Sequence, residues 1–232
     1  MIELRKAADR GHADHGWLST WHSFSFADYY DPQQMGWGPL RVINEDFVAP
    51  AKGFPTHGHR DMEIVTYPLA GPLQHKDSMG SGTIIQRPEV QRMSAGRGVT
   101  HSEFNASATE TVHLLQIWIE PDVLGIAPEY EQKAFPDAAK RGRWLPLATP
   151  DGREGSLSIH QDAVLLARLF APGETGEWTI VPGRRAYLHL VGGEATVNGL
   201  ELASGDGAKI AEENSITIAA TAETEILLFD LP

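Results

Sequence analysis

The chain has 232 residues, 41% hydrophobic and 22% charged, with 23 glycines, 15 prolines and no cysteine. That length admits one large domain or two small ones, and the missing thiols exclude a disulfide framework, a cysteine nucleophile, an iron–sulfur cluster and cysteine-ligated zinc. A formal charge of −12 opposes phosphate backbones and anionic lipid, so no direct nucleic-acid or membrane binding is expected. With no signal-like or membrane-length apolar run, a soluble cytoplasmic protein is the expectation.

In chain order, His12, Asp14 and His15 lie in a glycine-flanked, unpatterned stretch that reads as a solvated loop. His22, Phe24 and Phe26 alternate onto one face and predict a packed aromatic surface with a hydrogen-bonded histidine. Short runs rich in β-branched and aromatic residues at 40–43, 62–67, 83–86 and 112–119 predict strands. In the last of these His113, Leu115, Ile117 and Ile119 face one way, and Leu114, Gln116 and Trp118 the other. His113 reads as structural, His75 as a rim residue with a polar cavity wall as the alternative, and Met79 and Met93 as gap-filling core.

From Pro121 to Asp151 five prolines interrupt the pattern, predicting a connector with at most a short helix over 134–140. The basic cluster Lys140, Arg141 and Arg143 reads as a solvated turn. Strand patterns resume at 163–170, 185–190, 215–218 and 225–229. Frequent strands without sustained helical period predict a mainly β protein of antiparallel sandwiches or barrels, divided into domains at 1–130 and 131–232. Ser94-Ala95-Gly96-Arg97-Gly98 and Ser204-Gly205-Asp206-Gly207 form a faint repeat between the halves. Gly96-Arg97-Gly98 lacks the Lys-Ser/Thr and helix that a phosphate loop needs.

Ten histidines are present, seven of them within the first 101 residues. In a strand, residues i and i+2 share a face, so His57-Gly58-His59 aims two imidazoles into one space. His101-Ser102-Glu103, just after Gly96-Arg97-Gly98, repeats that spacing and can bring an imidazole and a carboxylate to the same point. Three neutral imidazoles and one carboxylate leave a divalent ion with open positions for water, dioxygen or substrate. The ligand set suits Fe(II), Mn(II), Co(II), Ni(II), Cu(II) and Zn(II) alike.

These segments carry a family resemblance. Gly53-Phe54-Pro55-Thr56-His57-Gly58-His59-Arg60-Asp61-Met62-Glu63 and Met93 through Asn105 resemble the two cupin motifs in their pirin form. His12 through Leu18, Trp21 through Phe26, Arg41 through Asn44, His113 through Ile119 and Leu227 through Pro232 agree as well. The likeness is nearest to the bacterial pirin-like quercetin 2,3-dioxygenases. It implies a monomeric bicupin, two antiparallel β-barrel (jelly-roll) domains, with metal in the N-terminal one only. The implied ligands are His57, His59, His101 and Glu103, with Fe(II) as the first expectation; Glu63, a ligand position in other cupins, is not one in this form. Matching Gly192 to Gly71 and Gly207 to Gly98 sets the four ligands opposite Trp178, Ile180, Ile210 and Glu212, leaving no second three-histidine site.

The implied activity is cleavage of a flavonol such as quercetin by dioxygen with release of carbon monoxide, Glu103 serving as ligand and general base. The alternative from the same resemblance is a metal-loaded, redox-sensitive regulatory protein with a protein partner.

Overall fold

All 232 residues are described by the computed structural model of the protein. Its regular elements are β-strands and three short 3₁₀ turns, with no α-helix; no helix is long and apolar enough to cross a membrane. The chain forms two compact units, one of Gly11–Phe135 with Leu157–Gln161, the other of Met1–Arg10, Pro136–Ser156 and Asp162–Pro232. The mainly β expectation holds, but the barrels do not close: each unit is built from a large and a small open antiparallel sheet.

In the first unit the large sheet runs in the order Glu129–Ala134, Glu89–Ser94, Glu63–Ala70, Val112–Ile119, Leu40–Val48, Leu18–His22, Gly11–Asp14. The small sheet runs Gly53–His59, Val99–Asn105, Leu73–Asp77, Gly82–Ile85. Leu18, Val48, Val112 and Leu114 from the large sheet bury against Leu73 and Ile85 from the small one, so the apolar alternation of each strand closes a shared core.

The second unit repeats this plan. Its large sheet contains Ile2–Arg5, Gly207–Ile210, Arg185–Gly192, Thr224–Leu231, Val164–Phe170 and Leu145–Thr149 in that order. Its small sheet runs Thr175–Thr179, Ser215–Ala220, Glu194–Val197, Leu200–Ala203. A single cluster including Leu166, Phe170, Leu188, Ile210, Ile216, Ile218 and Leu228 fills the space between them.

Several expectations are corrected. The first ten residues belong with the C-terminal half, because Ile2 to Arg5 pair antiparallel with Ile210 to Gly207. The expected connector holds two strands: Glu129–Ala134 extends the first unit's large sheet by pairing with Glu89–Ser94, and Leu145–Thr149 pairs with Val164–Phe170. The helix reduces to a 3₁₀ turn at Asp137–Lys140. Lys140 is not solvated; it is 1% exposed, with its Nζ on Asp137 and Glu225, both at 3.2 Å. The glycine repeat is also out of step: Ser204 to Gly207 precede the strand that occupies the place of Glu89–Ser94, whereas Ser94 to Gly98 follow that strand.

Candidate metal centre

The site grows from two strands of the first unit's small sheet. Gly53–His59 lies antiparallel to Val99–Asn105 with His57 opposite His101 and His59 opposite Val99, and the register slips between His101 and Glu103, which faces Phe54. The slip falls at Pro55, which has no N–H for the ladder and is tolerated at such a bulge. Its carbonyl is used instead, accepting a 2.8 Å hydrogen bond from His57 Nδ1. That bond fixes the His57 tautomer and turns the Nε2 lone pair inward. Gly53 is required for the close strand approach: a Cβ there would stand 2.2 Å from the Glu103 carbonyl oxygen.

The consequence is a convergence of imidazoles. His101 Nε2 lies 3.0 Å from His57 Nε2 and 3.0 Å from His59 Nε2. Burial, followed by the neighbouring imidazole charges, drives His101 down to about 3, and burial drives His59 down to about 4, so both are neutral at physiological pH. Nitrogens bound at right angles to one ion at about 2.1 Å stand about 3.0 Å apart, so the trio has the spacing that a shared ion requires. Glu103, 3% exposed, leaves its Oε1 buried with no partner. Burial, opposed by the Gln116 hydrogen bond and reinforced by the Asp46 charge, pushes it up to about 7. A buried carboxylate oxygen without a donor and three imidazole nitrogens at this spacing fit a divalent cation.

The structure thus brings His57, His59 and His101 together directly, while Glu103 joins His101 and His75 in an overlapping trio. His75 departs from its expected rim position. It is fully buried, because Leu73–Asp77 pairs along Val99–Asn105 with His75 opposite Glu103, and its Nε2 lies 3.0 Å from Asp77 Oδ2. Glu63 is not at the site; it accepts a 2.7 Å bond from Ser94 Oγ and precedes Ile64, whose side chain joins a different cluster with Met93, Ala95 and Val99. His22 meets Asn44 Oδ1 at 2.8 Å through Nδ1 and sits beside Phe26. His113 stacks on Phe47 and meets Glu45 at 2.9 Å; both histidines are structural, as expected. His12 is exposed, but it lies on the edge strand Gly11–Asp14 and stacks on Trp21 rather than occupying a loop.

Two neighbours of the site were not singled out from the sequence. Gln116 donates through Nε2 to Glu103 Oε2 at 3.0 Å, and Trp118 meets the His59 ring edge-on with centroids 5.0 Å apart. Their signal was the alternation of 112–119, which sets Leu114, Gln116 and Trp118 on the face opposite His113. Beside His59, an open groove of about 430 Å³ runs past Arg60, Ser78, Val99 and Thr100.

The architecture and this cluster define a class: a mainly β protein of two cupin-type units with a site for a metal ion in the first. The pirin family model matches residues 3–119 and a quercetinase C-terminal cupin domain model matches residues 146–231. The chain belongs to the pirin family. It is 50% identical over its whole length to a protein of Escherichia coli K12 named quercetin 2,3-dioxygenase, covering 99% of that protein. The crystal structure of YhhW from Escherichia coli superposes with a TM-score of 0.97 at 49% identity, covering 100% of this chain and 98% of that one. The bacterial pirin YhhW in complex with nickel(II) gives 0.96 at 48% identity, covering 100% and 99%.

Proposed function

We propose that the chain is a metal-dependent dioxygenase that opens the central ring of a flavonol such as quercetin and releases carbon monoxide, with His57, His59, His101 and Glu103 holding the ion. The observation that carries this reading is the convergence of three imidazole nitrogens beside a buried, unpartnered carboxylate oxygen. Whole-length similarity to proteins named quercetin 2,3-dioxygenase supports the reaction class. Fe(II) is the expected ion, and the donor set accepts nickel equally. When bound, the ion supplies Lewis acidity to a phenolic oxygen and an open site for dioxygen.

The protein's own contribution is arrangement and proton handling. His57 and His59 face the exposed side of the site and His101 the interior, so substrate is approached from the His57 and His59 side. Glu103, the carboxylate of the constellation, accepts the phenolic proton on a carboxylate oxygen. Trp118 braces His59 and presents an apolar surface continuous with Ile64 and Met93.

The test is loss of quercetin absorbance and carbon monoxide release under air by protein reconstituted separately with Fe(II), Ni(II), Mn(II) and Co(II). Intact flavonol with every ion overturns the proposal. Elemental analysis of the wild type and of His101→Ala checks the ligand assignment: one equivalent of metal is expected to disappear with the imidazole.

A further inference from the structure

The ligand histidines are fixed by their strands, but Glu103 lies where the register slips, and the cross-strand ladder alone does not set its carboxylate. What holds it comes from the opposite sheet. Gln116 Nε2 donates to Glu103 Oε2 at 3.0 Å, and Thr66 Oγ1 donates to Gln116 Oε1, also at 3.0 Å. Gln116 and Thr66 are direct cross-strand partners on Val112–Ile119 and Glu63–Ala70, so the donor is built on the two central strands of the large sheet, the most constrained part of the unit.

The amide has one acceptor and two donors. With its oxygen anchored by the Thr66 hydroxyl, its NH₂ faces the carboxylate, and the reverse orientation would set oxygen against oxygen. Oε2 is thereby satisfied inside the protein, while Oε1 is the atom left buried and without a partner.

We infer that Gln116, anchored by Thr66, is a positioning residue that fixes the Glu103 carboxylate so that Oε1 is the oxygen offered to the ion. This rests on the metal reading above and deepens it by naming the residues that tune ion affinity. Partners behind metal ligands typically set affinity by about 10–100-fold. Thr66 anchors the amide and also lies beside Glu103, whose carboxyl it helps to hold down, so part of its effect depends on the amide being present.

The experiment is a double-mutant cycle read as Co(II) affinity, by chelator competition and by the Co(II) visible spectrum, on wild type, Gln116→Leu, Thr66→Val and the double variant. Gln116→Leu is expected to weaken Co(II) binding about 10–100-fold and to alter the spectrum. Thr66→Val is nearly isosteric and protects the test against misfolding of the leucine variant; it is expected to weaken binding by a smaller factor, and to weaken it less in the Gln116→Leu background than in wild type. Affinities within twofold of wild type for both single variants, or effects that multiply in full, overturn the positioning role while leaving the metal reading intact. Wild type that takes up no Co(II), indistinguishable from His101→Ala, overturns both.

Discussion

Asp46 offers a quantitative test of how this unit trades stability for a polar interior. It is 4% exposed on the strand Leu40–Val48, and burial, reinforced by the neighbouring Glu45 charge, raises its carboxyl from 3.8 to about 6. Because the folded-state value lies above the unfolded one, the native protein binds more protons between these limits. Stability is therefore lost as pH rises from about 4 through about 6, and the full cost is present above pH 7. At 1.36 kcal/mol per pH unit the ionised form costs about 3 kcal/mol. Asp46→Asn keeps the shape and removes the titration. In metal-free protein, urea denaturation followed by tryptophan fluorescence is expected to show wild type and variant alike near pH 4, and the variant more stable by about 3 kcal/mol at pH 8. A stability difference independent of pH, or a variant less stable than wild type at pH 8, refutes the reasoning. The same charge pushes Glu103 up, so the stabilised variant should also bind Co(II) more weakly, since a buried negative charge near the site favours a cation.

Other perturbations follow from single contacts. Gly53→Ala places a methyl carbon 2.2 Å from the Glu103 carbonyl oxygen and 2.5 Å from Phe104 Cα; a cost of about 1–3 kcal/mol and loss of Co(II) uptake by still-folded protein are expected in thermal and metal titrations. Arg92→Leu removes the partner of Ser94, Glu129 and Glu131 from a residue only 3% exposed. It should destabilise by about 3 kcal/mol, at the low end for a broken buried pair because both glutamates reach solvent, as measured by urea titration. Lys140→Met leaves Glu225, 8% exposed, without its 3.2 Å ammonium contact. That variant should lower the melting temperature without changing metal stoichiometry, because Lys140 belongs to the unit that carries no histidine cluster.

Much of the candidate site was legible because its chemistry is written in local spacing. Two i, i+2 pairs define which side chains share a face, and a strand is the one common element that makes that spacing useful. His75 was harder. Its position opposite Glu103 depends on a strand pairing, and nothing within Leu73–Asp77 distinguishes a rim histidine from a buried one. Gln116 was visible as a member of a face, but the face acquires meaning only once the small sheet lies across it. Edge strands were missed for a different reason: Glu129–Ala134 carries Glu, Gln and Lys along a partly exposed edge, as edges that avoid aggregation do, and so shows no apolar alternation. The N-terminal strand Ile2–Arg5 was unreadable as part of the C-terminal half because its partner lies some two hundred residues away.

The two units together explain why the histidine cluster forms in one of them and not the other. Their small sheets share an order, so Ser215–Ala220, not Gly207–Ile210, occupies the place of Val99–Asn105, which corrects the alignment that set Ile210 opposite His101. On these strands the second unit turns Ile216 and Ile218 into its core, with Trp178 packed against them. The large sheets differ in the same sense. In the first unit a register-matched row of polar side chains, His22, Asn44, Gln116, Thr66, Gln91 and Gln132, crosses six strands. The second unit fills its interior with Leu166, Leu188, Ile226 and Leu228. Burying a polar group without a partner costs about 1–3 kcal/mol, so such a row persists only if its members bond one another and the groups above them. The bonds from His22 to Asn44, from Thr66 to Gln116 and from Gln116 to Glu103 meet that demand along most of the row, Gln91 Oε1 being left without a partner. Introducing ligands alone would therefore not create a centre in the second unit. An imidazole introduced at Ile216 would face hydrocarbon with no second layer to orient it, and the missing part of the site is the polar floor.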